Sequence, residues 1–162
     1  MTPAIKQLEQ QNKIFKIHQY QHDANVQSFG IEAVEKLSLN AEQVFKTLVI
    51  CTDTNQLAVA IVPVMFKLNL KAIAKALKVK KVKMAEGNRV EVSTGYVLGG
   101  VSPLGQKKRL TTVIDVSAQR FAHVFVSGGK RGLEIELTLQ DLAKMCQATF
   151  ADIADKSKNI ES

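Results

Sequence analysis

The sequence is poor in the residues that most often supply catalysis and covalent bracing. Its 162 residues include three histidines, two cysteines and three prolines. Cys51 and Cys146 are single thiols in a chain that opens as a polar helix and not as a secretory signal, which predicts reduced cysteines in a cytoplasmic protein. No apolar run reaches the length of a membrane span. Three scattered histidines give no defensible Ser-His-Asp order. His18 and His22 are four apart, but Gln19 stands where a zinc-protease helix needs its Glu, and the segment patterns as strand and loop, so no metal is expected. His123 begins an apolar strand and reads as structural. Cys51 lies in an apolar strand with no basic or histidine neighbour in sequence to lower its pKa, so it reads as a core thiol, and so does Cys146. Repeats and linkers are absent. A chain of this size can bury roughly 70% of its unfolded surface, so one self-supporting domain is expected.

The glycines are concentrated. Thr94 to Gly105 carries four of the nine, with Pro103, in twelve residues. Such a run reads as a rigid loop with accessible backbone N–H groups, able to cradle an oxyanion or to make a tight connection between buried elements. Gly100 and Gly105 have P-loop spacing, but Gln106 stands in place of the essential Lys, Lys107 comes one position late, and no hydroxyl follows. No dinucleotide-type glycine fingerprint is present either.

The net charge of +7 favours an anionic partner. Lys67, Lys71, Lys75, Lys78, Lys80, Lys81 and Lys83 crowd into seventeen residues and read as a solvated face. Lys107, Lys108 and Arg109 follow the glycine loop, and Lys130 and Arg131 sit in a second glycine cluster. Basic groups beside accessible backbone suit phosphates, which makes these two clusters the candidate nucleic-acid contacts.

Thr2-Pro3 starts a first helix, and Ile14–Tyr20 alternates as a strand. A short helix over Ile31–Leu37 is followed by a buried hairpin, Phe45–Thr52 with Leu57–Val64. Asn69 caps a helix with Leu70, Ile73, Ala74 and Leu77 on its inner face. Val79–Ala85 reads as a strand, Asn88–Thr94 as a short helix, Thr111–Val116 as a strand, and His123–Ser127 with Leu133–Leu137 as paired strands. Thr138 with Asp141 opens a last helix, and residues 156–162 read as a flexible C-terminal tail after a domain over 1–155. Hairpins mixed with helices make the class α+β, or mixed α/β around one sheet.

One charge violates this pattern. Lys46 interrupts Phe45-Lys46-Thr47-Leu48-Val49-Ile50, a strand otherwise made for burial. It must snorkel, pair with a carboxylate or hold a ligand. Glu134 and Glu136, on one face of the Leu133–Leu137 strand, are the candidate partners.

Taken together, Thr2-Pro3-Ala4, Tyr20-Gln21-His22-Asp23, Glu42 to Leu48, Leu70-Lys71-Ala72, Thr94 to Lys108 and Ser127 to Leu133 resemble the YbaK (YbaK/EbsC) family of free-standing aminoacyl-tRNA editing proteins, in order and as far as about Phe150. Gly128 and Glu134 depart mildly, since Ala and Asp are frequent there in the family. The resemblance implies a mixed, barrel-like sheet wrapped by helices and deacylation of mischarged tRNA, typically Cys-tRNA(Pro), in concert with prolyl-tRNA synthetase. It implies no metal or organic cofactor. The family's pocket maps onto Tyr20, Phe29, Lys46, Thr47, Gly99, Gly100, Ser127 and Glu134. On this reading Lys46 positions the 3′ end, the Gly99-Gly100 backbone donates to the ester oxygen, and Tyr20, Phe29, Thr47, Ser127 and Glu134 shape the amino-acid site. The substrate's own thiol is the expected nucleophile. The alternatives are a non-catalytic tRNA-binding module that assists the synthetase, and editing of Ala-tRNA(Pro).

Overall fold

The computed structural model describes residues 1–26 and 28–159. Five helices and ten strands follow in the order α1 (Pro3–Gln10), β1 (Phe15–Gln19), α2 (Phe29–Leu37), β2 (Phe45–Thr52), β3 (Leu57–Pro63), β4 (Phe66–Leu68), α3 (Leu70–Leu77), β5 (Val82–Met84), α4 (Gly87–Thr94), β6 (Thr111–Asp115), β7 (His123–Ser127), β8 (Leu133–Thr138), α5 (Leu139–Cys146), β9 (Thr149–Ala151) and β10 (Ala154–Asn159). This is a mixed α/β single domain. Caps set several helix starts. The Oγ1 atoms of Thr2 and Thr138 and the Oδ1 of Asn69 accept from Ile5, Asp141 and Ala72 N–H at 3.3, 3.1 and 3.0 Å.

The central sheet has the order β5-β2-β3-β6-β9; β1-β8-β7 and β10-β4 form two smaller sheets. β3 is buried on both faces. Val59 and Ile61 point into a core shared with α1, α5, β7 and β8, while Ala60 and Val62 point into a second core with Ile73 of α3 and Ile153. The alternation of period two feeds both sides of the sheet from one unbroken apolar run.

The sheets do not close into the expected barrel. β2 pairs with β3 along Phe45–Cys51, but on its other flank β5 reaches only Ile50–Thr52, and a single bridge joins Val44 to Phe125 of β7. Between these two contacts the edge of β2 is open. The Val49 carbonyl accepts from Ala85 N–H at 3.1 Å, so odd-numbered residues of β2 turn their backbone groups away from β3. Thr47 therefore presents its main chain to the gap.

Residues 156–159, expected in a tail, lie in β10 against β4. The cause is Asp115, fully buried at the end of β6. Its carboxylate accepts from Ile153 and Ala154 N–H at 2.9 and 3.1 Å and pairs with Lys156 at 3.2 Å. Residues 160–162 lie outside the described residues.

Candidate active site

The open edge of β2 is one wall of a cavity of about 360 Å³. Lys46, Thr47, Leu48 and Val49 come from β2, Met84 and Ala85 from the end of β5, Val90 from α4, and Leu98, Gly99 and Val101 from the glycine loop. Tyr20, Ser127, Lys130, Arg131 and Glu134 complete it from the opposite side.

The glycine loop divides into an anchor and a tip. Gly95 ends α4 at φ +82°, and the buried Tyr96 donates its hydroxyl to the Leu104 carbonyl at 2.6 Å. Gly105 packs so closely on α1 that a Cβ would sit 2.4 Å from the Pro3 carbonyl carbon, and its N–H donates to Gln7 Oε1 at 2.7 Å. The tip at Leu98–Gly99 is thereby held over the cavity, with Arg131 donating to the Leu98 carbonyl at 3.2 Å. Gly99 has φ +89°, and no hydrogen bond of its N–H is found among the described residues. Gly100 behaves differently from expectation. Its N–H is committed to the Val97 carbonyl at 2.9 Å and it does not line the cavity. A side chain there would meet the Lys130 backbone at 2.9 Å, so close approach explains this glycine. Of the two amides expected to donate, Gly99's remains.

Lys46 is half-buried, and burial followed by the charge of Lys67 lowers its pKa to about 8. Neither expected carboxylate pairs with it. Glu136 is bound to His18 at 3.0 Å, and no ion pair joins Lys46 to Glu134. Glu134 is 7% exposed, and burial raises its pKa to about 8, which leaves it mainly protonated at pH 7. Tyr20 is pushed up to about 12 by burial and by Glu134, so it remains a neutral donor. Ser127 faces Glu134 across the β7–β8 ladder and accepts from Gly129 N–H at 3.1 Å. The Thr47 hydroxyl is buried in the wall without a hydrogen-bond partner. An orphaned hydroxyl beside an unpaired ammonium and an unpaired carboxyl is the pattern of a site lacking its ligand.

Among the described residues no histidine or cysteine lines the cavity. His22 Nδ1 sits 2.7 Å from Glu32, which also takes the Asp23 N–H at 2.8 Å and Lys36 at 3.0 Å. Burial alone would raise the pKa of Glu32, but these donors bring it down to about 2. The cluster ties the segment after Tyr20 to α2. It is invisible to sequence reasoning, because nothing in α2's apolar spacing marks Glu32 as buried. Phe29 opens α2 between two lining residues, Ser28 and Gly30; its side chain lies outside the described residues. Lys130 and Arg131 lie at the exposed rim, whereas Lys107, Lys108 and Arg109 are exposed but do not line the cavity. Among the described residues no group of three or more His, Cys, Asp or Glu could hold a metal ion, and no helix is long and apolar enough to cross a membrane.

The aminoacyl-tRNA editing domain matches residues 24–145. The chain is 35% identical, over 156 residues, to EbsC of Enterococcus faecalis, a candidate Cys-tRNA(Pro)/Cys-tRNA(Cys) deacylase; the match covers 96% of this chain and 94% of that protein. Its fold is similar to the crystal structure of a candidate trans-editing enzyme for prolyl-tRNA synthetase, with TM-score 0.82, 20% identity and coverage of 94% and 95% of the two chains. The hypothetical protein APE2540 is as similar in fold, with TM-score 0.83, 21% identity and coverage of 94% and 99%. With the domain match over three quarters of its length and a relative at 35% identity along nearly all of it, the chain belongs to the aminoacyl-tRNA editing domain family.

Proposed function

We propose that this protein is a trans-editing deacylase that removes cysteine from mischarged Cys-tRNA(Pro), working alongside prolyl-tRNA synthetase. The observation that carries the proposal is a cavity with unpaired polar groups and no nucleophile–base pair. Such a site can bind and polarise an ester, but it has no histidine or cysteine with which to attack one. The attacking atom then comes from the substrate.

In this reading the Lys46 ammonium holds the anionic 3′ end of the tRNA. The Gly99 N–H donates to the ester oxygen as it gains charge in the tetrahedral intermediate. Thr47, Tyr20, Ser127 and Glu134 enclose the aminoacyl group, and the exposed Met84 and Leu98 offer the terminal base an apolar surface. The substrate thiol loses its proton and attacks the ester carbonyl. A carbon–sulfur bond forms, the carbon–oxygen bond to the ribose breaks, and the ribose oxygen takes up a proton. The amino acid leaves as a cyclic thioester. A free thiol is a few per cent ionised near pH 7, so cysteine reacts where serine and alanine do not. Selectivity then comes from chemistry, which a pocket alone gives only roughly 10- to 200-fold between near-isosteres.

The test is deacylation of a panel of mischarged tRNAs by the isolated protein. Cysteinyl-tRNA(Pro) should be cleaved and tRNA(Pro) charged with S-methylcysteine should survive. Equal cleavage of the two would replace thiol attack by an activated water. Lys46→Ala should remove activity from a protein that still folds, since a half-buried lysine without a partner adds little to packing; normal turnover in that variant would take Lys46 out of the site.

A further inference from the structure

The seventeen residues from Lys67 to Lys83 contain seven lysines and no acid, a charge as large as the net +7 of the whole chain. In the structure they span β4, α3 and β5. Met84, the residue after Lys83, is part of the cavity wall. The charge of Lys67 is felt at Lys46. All seven side chains are exposed, and among the described residues none lies in a salt bridge.

Ordinary structural roles explain part of this set. β5 is the edge strand of the central sheet, and lysines at an edge deter pairing with another chain, which accounts for Lys81 and Lys83. Lys75 stands in the last turn of α3, where the helix dipole favours a cation. Lys71 has no such reason. It stands in the first turn of α3, where the dipole disfavours a cation, and no acid shares that turn. Lys71 and Lys75, at i and i+4, share one face of the helix roughly 5–6 Å apart, and Lys78 follows at its C-cap with φ +60°. The buried Ile73 belongs to the second core, with Ala72 and Leu77 packed against it.

We infer that Lys71 and Lys75 of α3 and Lys78 at its C-cap, continued by the lysines of β4 and β5, form the surface on which the acceptor arm of the tRNA lies. This rests on the proposed function, in which the ester at the arm's end enters the cavity. The phosphates behind that ester must then run over the protein surface outside the cavity, and this run of exposed cations, outside any salt bridge among the described residues, meets the cavity wall at Met84. A run of seven cations with no acid among them suits a phosphate backbone better than the mixed surface of a protein partner. Of the two other basic clusters, Lys107, Lys108 and Arg109 do not line the cavity, and Lys130 and Arg131 at its rim contact the ester end and not the arm behind it in this reading.

The test uses uncharged tRNA(Pro) as the probe, so that it does not depend on catalysis. Binding is measured from 50 to 300 mM salt for the wild-type protein, for the triple variant Lys71→Gln, Lys75→Gln, Lys78→Gln, and for the charge-preserving triple Lys71→Arg, Lys75→Arg, Lys78→Arg. The Gln variant should bind at least about tenfold more weakly at low salt. Its salt slope should fall by roughly 2 to 3, at roughly 0.7 to 0.9 for each phosphate that is no longer neutralised. The Arg variant should retain both. Unchanged binding and slope in the Gln variant overturn the inference. So does a Gln variant that keeps its tRNA affinity but loses affinity for prolyl-tRNA synthetase, since the surface would then belong to a protein partner. Wild-type protein that binds through these lysines yet deacylates no mischarged tRNA would leave the surface standing and refute the deacylase reading alone.

Discussion

Glu32 and Glu134 are the same residue type, almost equally buried at 2% and 7% exposure, and their chemistry is opposite. Glu32 is met by His22, the Asp23 amide and Lys36, and its pKa falls to about 2. Glu134 meets no donor among the described residues, and its pKa rises to about 8. Asp115 and Lys46 repeat the contrast in the central sheet, one charge satisfied by the backbone of the following segment, the other without a carboxylate partner among the described residues. The difference separates structure from function. A buried charge whose partners come from its own chain holds the chain together; one without partners is held ready for something that arrives.

The largest effect should fall on stability. Glu32→Ala strips the acceptor from three donors at once, and breaking a buried pair from one side costs about 3–5 kcal/mol. Glu134→Gln removes a group that the fold leaves unpaired, so it should leave the stability at pH 7 unchanged or raise it. Urea denaturation of the two variants beside the wild type decides the matter. Equal losses would erase the distinction between the two acids.

The two acids should also pull the pH dependence in opposite directions. Glu32 has a folded pKa below its unfolded value of 4.5, so its contribution is present above about pH 4.5 and is lost as the pH falls towards 2, by up to about 3 kcal/mol. For Glu134 the folded pKa lies above the unfolded one. The folded state then holds the proton more tightly, and stability is lost as the pH rises from 4.5 towards 8. The gap in unfolding free energy between Glu134→Gln and wild type should therefore be near its minimum at pH 4 and widen towards pH 8. A gap independent of pH would show that Glu134 is ionised in the fold throughout. Activity should follow Lys46 in the same range and decline above about pH 8 as its ammonium is lost.

Much of this is legible in the sequence wherever local pattern and tertiary need agree. The β2–β3 hairpin, the Asn69 cap, the helix ending at Gly95 and the last helix all follow from alternation, capping and turn residues. Lys46 is visible because a cation in an apolar strand has few explanations. Asp115 breaks the strand Thr111–Val116 in the same way, yet its partners lie some 40 residues on and no local rule points to them. The same blindness hides β10, a strand made by that long-range anchor and not by its own polar composition. Glu32 and the apolar wall of Met84, Val90 and Leu98 are also hidden, because a cavity is assembled from distant segments. Nor can a sequence show that the Gly100 amide is spent in its own turn.

The smallest effect concerns Thr47, and it isolates the cost of an unfilled site. Its hydroxyl is buried with no partner, and leaving such a group unsatisfied costs roughly 1–3 kcal/mol. Valine has nearly the same shape, removes the orphan and suits a strand better. Thr47→Val should therefore stabilise the free protein by about 1 kcal/mol, read as a shift of the urea midpoint without a change in slope. The same substitution should raise the KM for mischarged tRNA, because the hydroxyl's missing partner is supplied by the ligand. A stabilised variant with an unchanged KM would make the orphan a packing accident. A destabilised one would mean that the hydroxyl is already satisfied by ordered water, which would place Thr47 with Glu32 among the groups that hold the fold together.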